Sequence, residues 1–294
     1  MGKLLAILLV LLTAFSANAE VLRLGRSVSD TDTGLTSLKE IGEYIVKELK
    51  GDTYTSYKLY TDGHSDNRAF IKLINSEKID MVLESMYSAA LYAKHTDMEP
   101  VLLIRRGNSV YERSYIVARK DSDMGNIGGL SGRTVAFTDK VSATSYFLPA
   151  EDIKAAGMKL TEVEQHNAPM PKGTVGILLT HDKFQVANSV YLRKTDAGAV
   201  NSADWDSGAI YPEFIKDGLK IIHETRSIPG LFIMIRKDMP AEVRNKIINI
   251  FTNISFSTAA NPIFDKCRMT GIYKVGFNWE ELFKSVPDRF DVTD

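Results

Sequence analysis

The stretch Thr134-Val135-Ala136-Phe137-Thr138-Asp139-Lys140-Val141-Ser142-Ala143-Thr144-Ser145-Tyr146-Phe147-Leu148-Pro149 decides the fold. Together with Arg133, its first four residues form a compact apolar run of strand length, Arg133–Phe137. Three hydroxyls then come in close succession, Ser142, Thr144 and Ser145, where a helix is expected to start and to run from Ser142 to Ala156, closing at Gly157. Pro149 fits badly inside one continuous helix, so it either kinks that helix or marks the start of a second one. A strand that ends in a short loop and opens into a helix is the repeating unit of an α/β sheet.

The same alternation extends in both directions. Upstream, strands are expected at Val21–Leu24, Tyr54–Tyr60, Ile79–Leu83, Val101–Ile104 and Ser114–Ala118. Between them, Leu38, Ile41, Ile45 and Leu49 recur at helical spacing, and Ser37-x-x-Glu40 reads as a capping box, with Gly51 as the stop. Ser65 or Asp66 caps a helix that buries Phe70, Leu73 and Ile74, and residues 86–95 form another. Downstream, strands are expected at Thr174–Leu179, Ala197–Val200, Leu219–Glu224 and Leu231–Arg236, and helices at Lys183–Arg193, from Pro240 to Ile254 and at Trp279–Ser285. The two strand–helix series, around 21–104 and 133–200, predict two α/β lobes with mixed, mostly parallel sheets.

Composition bounds the function. The chain has 294 residues, 44% hydrophobic and 25% charged, the balance of a soluble globular protein rather than a disordered or polytopic one. Its formal net charge of −1 provides no bulk basic field for nucleic acid. Residues 1–19 place Lys3 before an apolar run from Leu4 to Phe15 and end in Ala17-Asn18-Ala19. That order predicts a signal peptide cleaved after Ala19 and a periplasmic mature chain. One cysteine, Cys267, excludes an intrachain disulfide, and five dispersed histidines offer no metal-ligand spacing, so neither metal nor cofactor is expected. Walker A, G-x-G-x-x-G and G-x-S-x-G patterns are missing from the sequence. Asn253-Ile254-Ser255 matches a glycosylation sequon by chance, inside an expected helix.

In open α/β sheets a ligand lies beyond the carboxyl ends of the strands. Four segments occupy that position: Gly25–Ser29, Glu84–Ser88, Asp139–Tyr146 and Val200–Trp205. At the third, exposed N–H groups and the hydroxyls of Ser142, Thr144 and Ser145 favour an anion, while ordinary capping by Ser142 is the plainer reading. Glu84 either receives a cationic ligand group or faces solvent, and Tyr87 either walls a pocket or packs in the core. Trp205 either closes over a ligand or sits at a lobe boundary. His181 stands near a helix start, where it either binds an anion or is incidental.

The chain resembles the periplasmic substrate-binding proteins of phosphate/phosphite/phosphonate ABC transporters, the phosphonate-binding-protein-like group. The resemblance runs from about 20 to 285. It rests on Leu22–Gly25, Ile79–Ser85, Thr134–Asp139, Ser142–Pro149, Asp196–Val200 and Ser227-Ile228-Pro229, in that order and spacing. It implies a two-lobed type-2 periplasmic-binding fold with two crossover strands. Lobe 1 would comprise 20–117 plus 223–294, and lobe 2 would comprise 118–222. It also implies that a Ser-Thr-Ser helix start holds the oxyanion, which falls here on Ser142-Ala143-Thr144 or on Ala143-Thr144-Ser145. Ser85-Met86 replaces the family's Gly-Pro turn, Tyr87 approximates its ligand-facing tyrosine, His181 resembles a Ser-His helix start with Thr180 in place of the serine, and Asn201 replaces an acid. The expected ligand-binding set is therefore Ser142, Thr144, Ser145, Tyr87, Ser85, Glu84, Asn201 and His181. The function this implies is capture of a small oxyanion by clamshell closure, by a monomer that delivers it to a membrane ABC permease. The alternatives are a ligand-sensing partner of a membrane signalling receptor and an exported α/β enzyme.

Overall fold

The computed structural model describes residues 20–27, 33–49, 54–63, 65–165, 168–254, 264 and 268–290. Gly51, His64, Cys267 and Ser255 of the sequon lie outside the described residues.

The first part of the chain supplies four strands of one sheet. It runs β1 (Glu20–Gly25), α1 (Thr33–Glu48), β2 (Tyr54–Tyr60), α2 (Asn67–Glu77), β3 (Met81–Ser85), α3 (Met86–His95) and β4 (Met98–Arg106). A second sheet begins after β5 (Tyr111–Glu112) with β6 (Ser114–Arg119), then β7 (Arg133–Phe137), α4 (Leu148–Ala155), β8 (Lys159–Glu162), β9 (Thr174–Leu179), α5 (Lys183–Tyr191) and β10 (Ala197–Asn201). Then come α6 (Ser202–Asp206), α7 (Glu213–Gly218) and β11 (Leu219–Glu224), before the chain returns through β12 (Ile228–Pro229), β13 (Leu231–Arg236), α8 (Ala241–Thr252), β14 (Met269–Lys274) and α9 (Trp279–Lys284).

Strand order is β14-β4-β13-β3-β1-β2 in the first sheet and β11-β6-β10-β7-β9-β8 in the second. The βαβ units give parallel pairs, as between β1 and β3 or β7 and β9. The chain that crosses between sheets gives antiparallel ones, as between β13 and β3 or β10 and β6. The sheets are therefore mixed, with a larger antiparallel share than the strand–helix alternation suggests. That share comes from β4, β6, β11, β13 and β14, which carry no helical crossover to a parallel neighbour.

Each sheet with its helices forms one lobe. The two crossings meet as a short antiparallel ribbon in which Ile228 pairs with Glu112 and Pro229 with Tyr111. The expected divisions after 117 and 222 fall inside β6 and β11, which both belong whole to the second sheet. Backbone and hydroxyl pin the ribbon's base: Ser114 N–H donates to Thr225 Oγ1 at 2.9 Å, and Thr225 N–H to Ser114 O at 3.1 Å.

Local chemistry explains the site-bearing elements. Asp66, not Ser65, caps α2, accepting from Arg68 N–H at 2.7 Å. The Ser37 capping box does not form a helix start, because α1 already begins at Thr33. Ser142 does cap its helix, its Oγ accepting from Ser145 N–H at 2.9 Å. The helix it caps is a single π-helical turn, Ala143–Phe147, with Ser145 at φ −108° and ψ 21°. Pro149 then sits in the first turn of α4, so it marks a second start rather than a mid-helix kink. Gly25 closes β1 because a Cβ there would come within 2.7 Å of the Phe70 ring. One apolar cluster runs across both lobes, from Phe70 and Met86 to Phe147 and Ile177.

Candidate anion-binding cavity between the lobes

A cavity of about 80 Å³ opens where the carboxyl ends of β1, β3, β7 and β10 converge. That volume suits an ion-sized ligand and lies well below the roughly 300–1,000 Å³ of pockets for drug-sized molecules. No histidine lines it among the described residues.

The second lobe supplies hydroxyls. Thr144 and Ser145 line the cavity and are nearly buried. Asn201 Nδ2 donates to Thr144 Oγ1 at 2.8 Å and to Glu112 Oε2 at 2.6 Å, while its Oδ1 accepts from Asp204 N–H at 3.1 Å. Both amide hydrogens and the oxygen of Asn201 are thereby engaged. It lines the cavity and holds Thr144, whose hydroxyl oxygen is the acceptor in their bond. Ser145 Oγ has no hydrogen-bond partner among the described residues.

The first lobe supplies charge. Arg26 lines the cavity just beyond β1; its Nε is buried without a hydrogen-bond partner, and its guanidinium makes no ion pair among the described residues. Glu84, at 3% exposure, accepts from Ser27 N–H at 2.6 Å through Oε1. Burial pushes its carboxyl up to about 8, against the pull of Arg26 and the Ser27 N–H. Ser85 Oγ and Ser88 Oγ donate to Val141 O at 3.0 and 3.2 Å, which ties the start of α3 to the opposite loop.

The ribbon side is an ion network. Arg106 Nε donates to Glu112 Oε1 at 2.7 Å, and its other end stands 3.5 Å from Asp204. Asp204 also meets Arg268 at 2.9 Å and Lys183 at 3.3 Å. Burial opposes ionisation of Asp204, but Lys183, Arg106 and Arg268 outweigh it and hold the carboxyl below its ordinary value. Arg106 and Arg268 come from the first lobe, so this network spans the cleft.

Of the expected site residues, Ser142, Thr144, Ser145, Ser85, Glu84 and Asn201 come together at the cavity. Tyr87 and His181 do not. Tyr87 is buried in the lobe contact, stacked on Phe147 at 4.7 Å, with its hydroxyl donating to Glu151. His181 is exposed at a left-handed φ of 55°, and its backbone N–H donates to Thr138 O at 2.8 Å. Trp205 does not line the cavity: it packs on Tyr211 at 5.4 Å in the second lobe's own core. Arg106, Glu112 and Lys183 were not singled out from sequence, and Arg26 appeared only within the Gly25–Ser29 segment. Its position after an apolar strand was the one available signal.

Comparison with known proteins identifies the family and the fold. The family model described as "ABC transporter, phosphonate, periplasmic substrate-binding protein" matches residues 31–276. The chain belongs to that family. Its members are substrate-binding transport proteins of the periplasm, which work with a membrane permease. Among solved structures, XAC2383 from Xanthomonas citri, bound to chloride ion, superposes with a TM-score of 0.80 at 23% identity, covering 90% of this chain and 95% of that one. PhnD1 from Prochlorococcus marinus, in complex with methylphosphonate, gives 0.69 at 14% identity, covering 90% and 96%. The phosphonate-transporter binding protein PA3383 from Pseudomonas aeruginosa gives 0.64 at 17%, covering 88% and 82%. These likenesses show the fold. Among the described residues, no helix is long and apolar enough to cross a membrane, and no cluster of three or more His, Cys, Asp or Glu is arranged for a metal.

Proposed function

We propose that this binding protein captures a small oxyanion of the phosphonate, phosphite or phosphate type between its lobes and presents it, by clamshell closure, to an ABC permease. The observation that carries the reading is Arg26, whose buried Nε has no hydrogen-bond partner among the described residues, on the wall of the same ion-sized cavity as the hydroxyls of Thr144 and Ser145. A guanidinium matches the fork of a tetrahedral oxyanion, and hydroxyls add neutral donors around it. Lobe closure excludes water and so strengthens each of these bonds. Capture of anions by the fold's relatives, chloride by XAC2383 and methylphosphonate by PhnD1, is consistent with it. Export with cleavage after Ala19 and a monomeric state complete the proposal. A thermal-shift screen over phosphate, phosphite, methylphosphonate, sulfate and amino acids tests it. A tetrahedral oxyanion at about a hundred times its Kd adds roughly 2.7 kcal/mol of stability. Stabilisation by amino acids alone, or by none of these, contradicts the reading.

A further inference from the structure

Arg26 and Glu84 approach the cavity from paired strands, β1 and β3, in which Gly25 lies opposite Val82. Glu84 is buried, with one oxygen held by Ser27 N–H. Its titratable neighbours come from four elements. Arg26 beyond β1 favours the ionised form, and Asp62 beyond β2 and Asp139 beyond β7 disfavour it. Tyr92 of α3 is itself held in its neutral form by burial and by Glu84. On β13 the paired residue is Phe232, which carries no charge. Arg106, Glu112 and Lys183 stand further around the same wall.

The other carboxylates at the cavity are already engaged. Glu112 is bound by Arg106 and Asn201, and Asp139 accepts from Val141 N–H at 3.1 Å. Glu112 is thereby paired with a cation inside the protein, and a protonated Glu84 offers a ligand ammonium no counter-charge. An anion seated on Arg26 also brings negative charge beside Glu84 and raises its proton affinity further.

We propose that Arg26 is the charge partner of the bound anion and that the anion-bound state requires Glu84 protonated, so that wherever Glu84 is ionised in the empty protein the cavity admits a compact anion and a proton together. The ligand class is then a tetrahedral oxyanion with a hydrogen or a small alkyl group, not a zwitterion carrying an ammonium. This rests on the oxyanion reading above and narrows it. With Glu84 poised at about 8 in the empty protein, binding weakens as pH rises through and beyond that value.

The test is calorimetric titration with inorganic phosphate, sulfate, methylphosphonate and 2-aminoethylphosphonate. It is run from pH 6 to pH 9, in two buffers of different ionisation enthalpy. The variants are Arg26→Gln, Arg26→Lys and Glu84→Gln, each with a melting curve to show that it folds. At pH 8 to 9 the parent protein takes up more protons on binding than Glu84→Gln, at pH 6 the two counts agree, and the parent's affinity falls by up to about tenfold per pH unit above the Glu84 transition. Arg26→Gln weakens binding about ten- to a hundredfold, Arg26→Lys less, and methylphosphonate binds more tightly than 2-aminoethylphosphonate. Equal proton counts in parent and Glu84→Gln at pH 8 to 9, undiminished affinity in Arg26→Gln, or preference for the aminoalkyl ligand overturns this proposal and leaves the oxyanion reading standing. If no oxyanion binds the parent, the oxyanion reading falls and takes this proposal with it.

Discussion

Asn201 Nδ2 stands 2.8 Å from Thr144 Oγ1, donating to it, so a side chain at the end of one strand fixes the hydroxyl at the start of a neighbouring helix. The threonine's acceptor role is filled from within the protein, and in the proposed reading its proton serves the bound anion. Thr144→Val should therefore weaken oxyanion binding about ten- to a hundredfold, the worth of one hydrogen bond to a charged group. It also costs roughly 1 kcal/mol of stability by leaving an Asn201 amide hydrogen without its acceptor. Thr144→Ser keeps the hydroxyl and should restore most of the affinity. Titration calorimetry beside denaturant melts measures both effects; a serine variant as weak as the valine one would remove the hydroxyl from the site.

Asp204 is the charge that joins the lobes at the ribbon side. Asp204→Asn leaves Arg106 without part of its compensation and should destabilise the protein by about 3 kcal/mol, the low end for a broken buried pair, since Lys183 and Arg268 are partly solvated. Because the folded carboxyl sits below its ordinary value, its contribution is complete above about pH 4 and is lost as pH falls through the lower folded value. In urea melts from pH 7 down to pH 3 the gap between parent and variant should narrow as the pH falls.

Glu84 has the opposite sign. Its folded value is raised, so the folded state binds more protons than the unfolded one between about pH 4 and pH 8, and the empty protein loses stability across that range as pH rises. Glu84→Gln keeps the acceptor for Ser27 N–H and lacks the charge. It should melt at least about 2 °C above the parent at pH 8, with the gap closing toward pH 5. A constant gap across that range would place the titration elsewhere.

Gly230 faces Glu112: a Cβ there would come within 2.5 Å of the Glu112 carboxyl carbon. Gly230→Ala should push Glu112 away from Arg106 and Asn201, costing about 1–3 kcal/mol and loosening the Thr144 hydroxyl with it. Affinity and melting temperature should fall together in this variant. In Thr144→Val, affinity should fall further for a given loss of stability.

The parts of this arrangement that sequence made legible are those set by local chemistry. The strand 133–137 and the hydroxyl-bearing helix start after it are set by apolar runs and capping preferences within a dozen residues. Glu84 and Asn201 are found by the rule that sites lie beyond strand ends. The charge network was not legible, because Arg106, Asp204 and Arg268 meet across separations of 64 and 98 residues that only the two chain crossings bring together. Tyr87 illustrates the same limit. Its place after β3 suggested the cavity, but packing on Phe147 of the other lobe turned it into the lobe contact. Ser37 failed for a local reason, since α1 starts a turn earlier and a capping pattern inside a helix caps nothing.

The most direct measurement is a crystal structure of the protein grown with methylphosphonate. The phosphonate oxygens should lie within hydrogen-bond distance of the Arg26 guanidinium, Thr144 Oγ1 and Ser145 Oγ, with Asn201 still donating to Thr144. A phosphonate bound at any other surface while this cavity holds only water would contradict the assignment of the site.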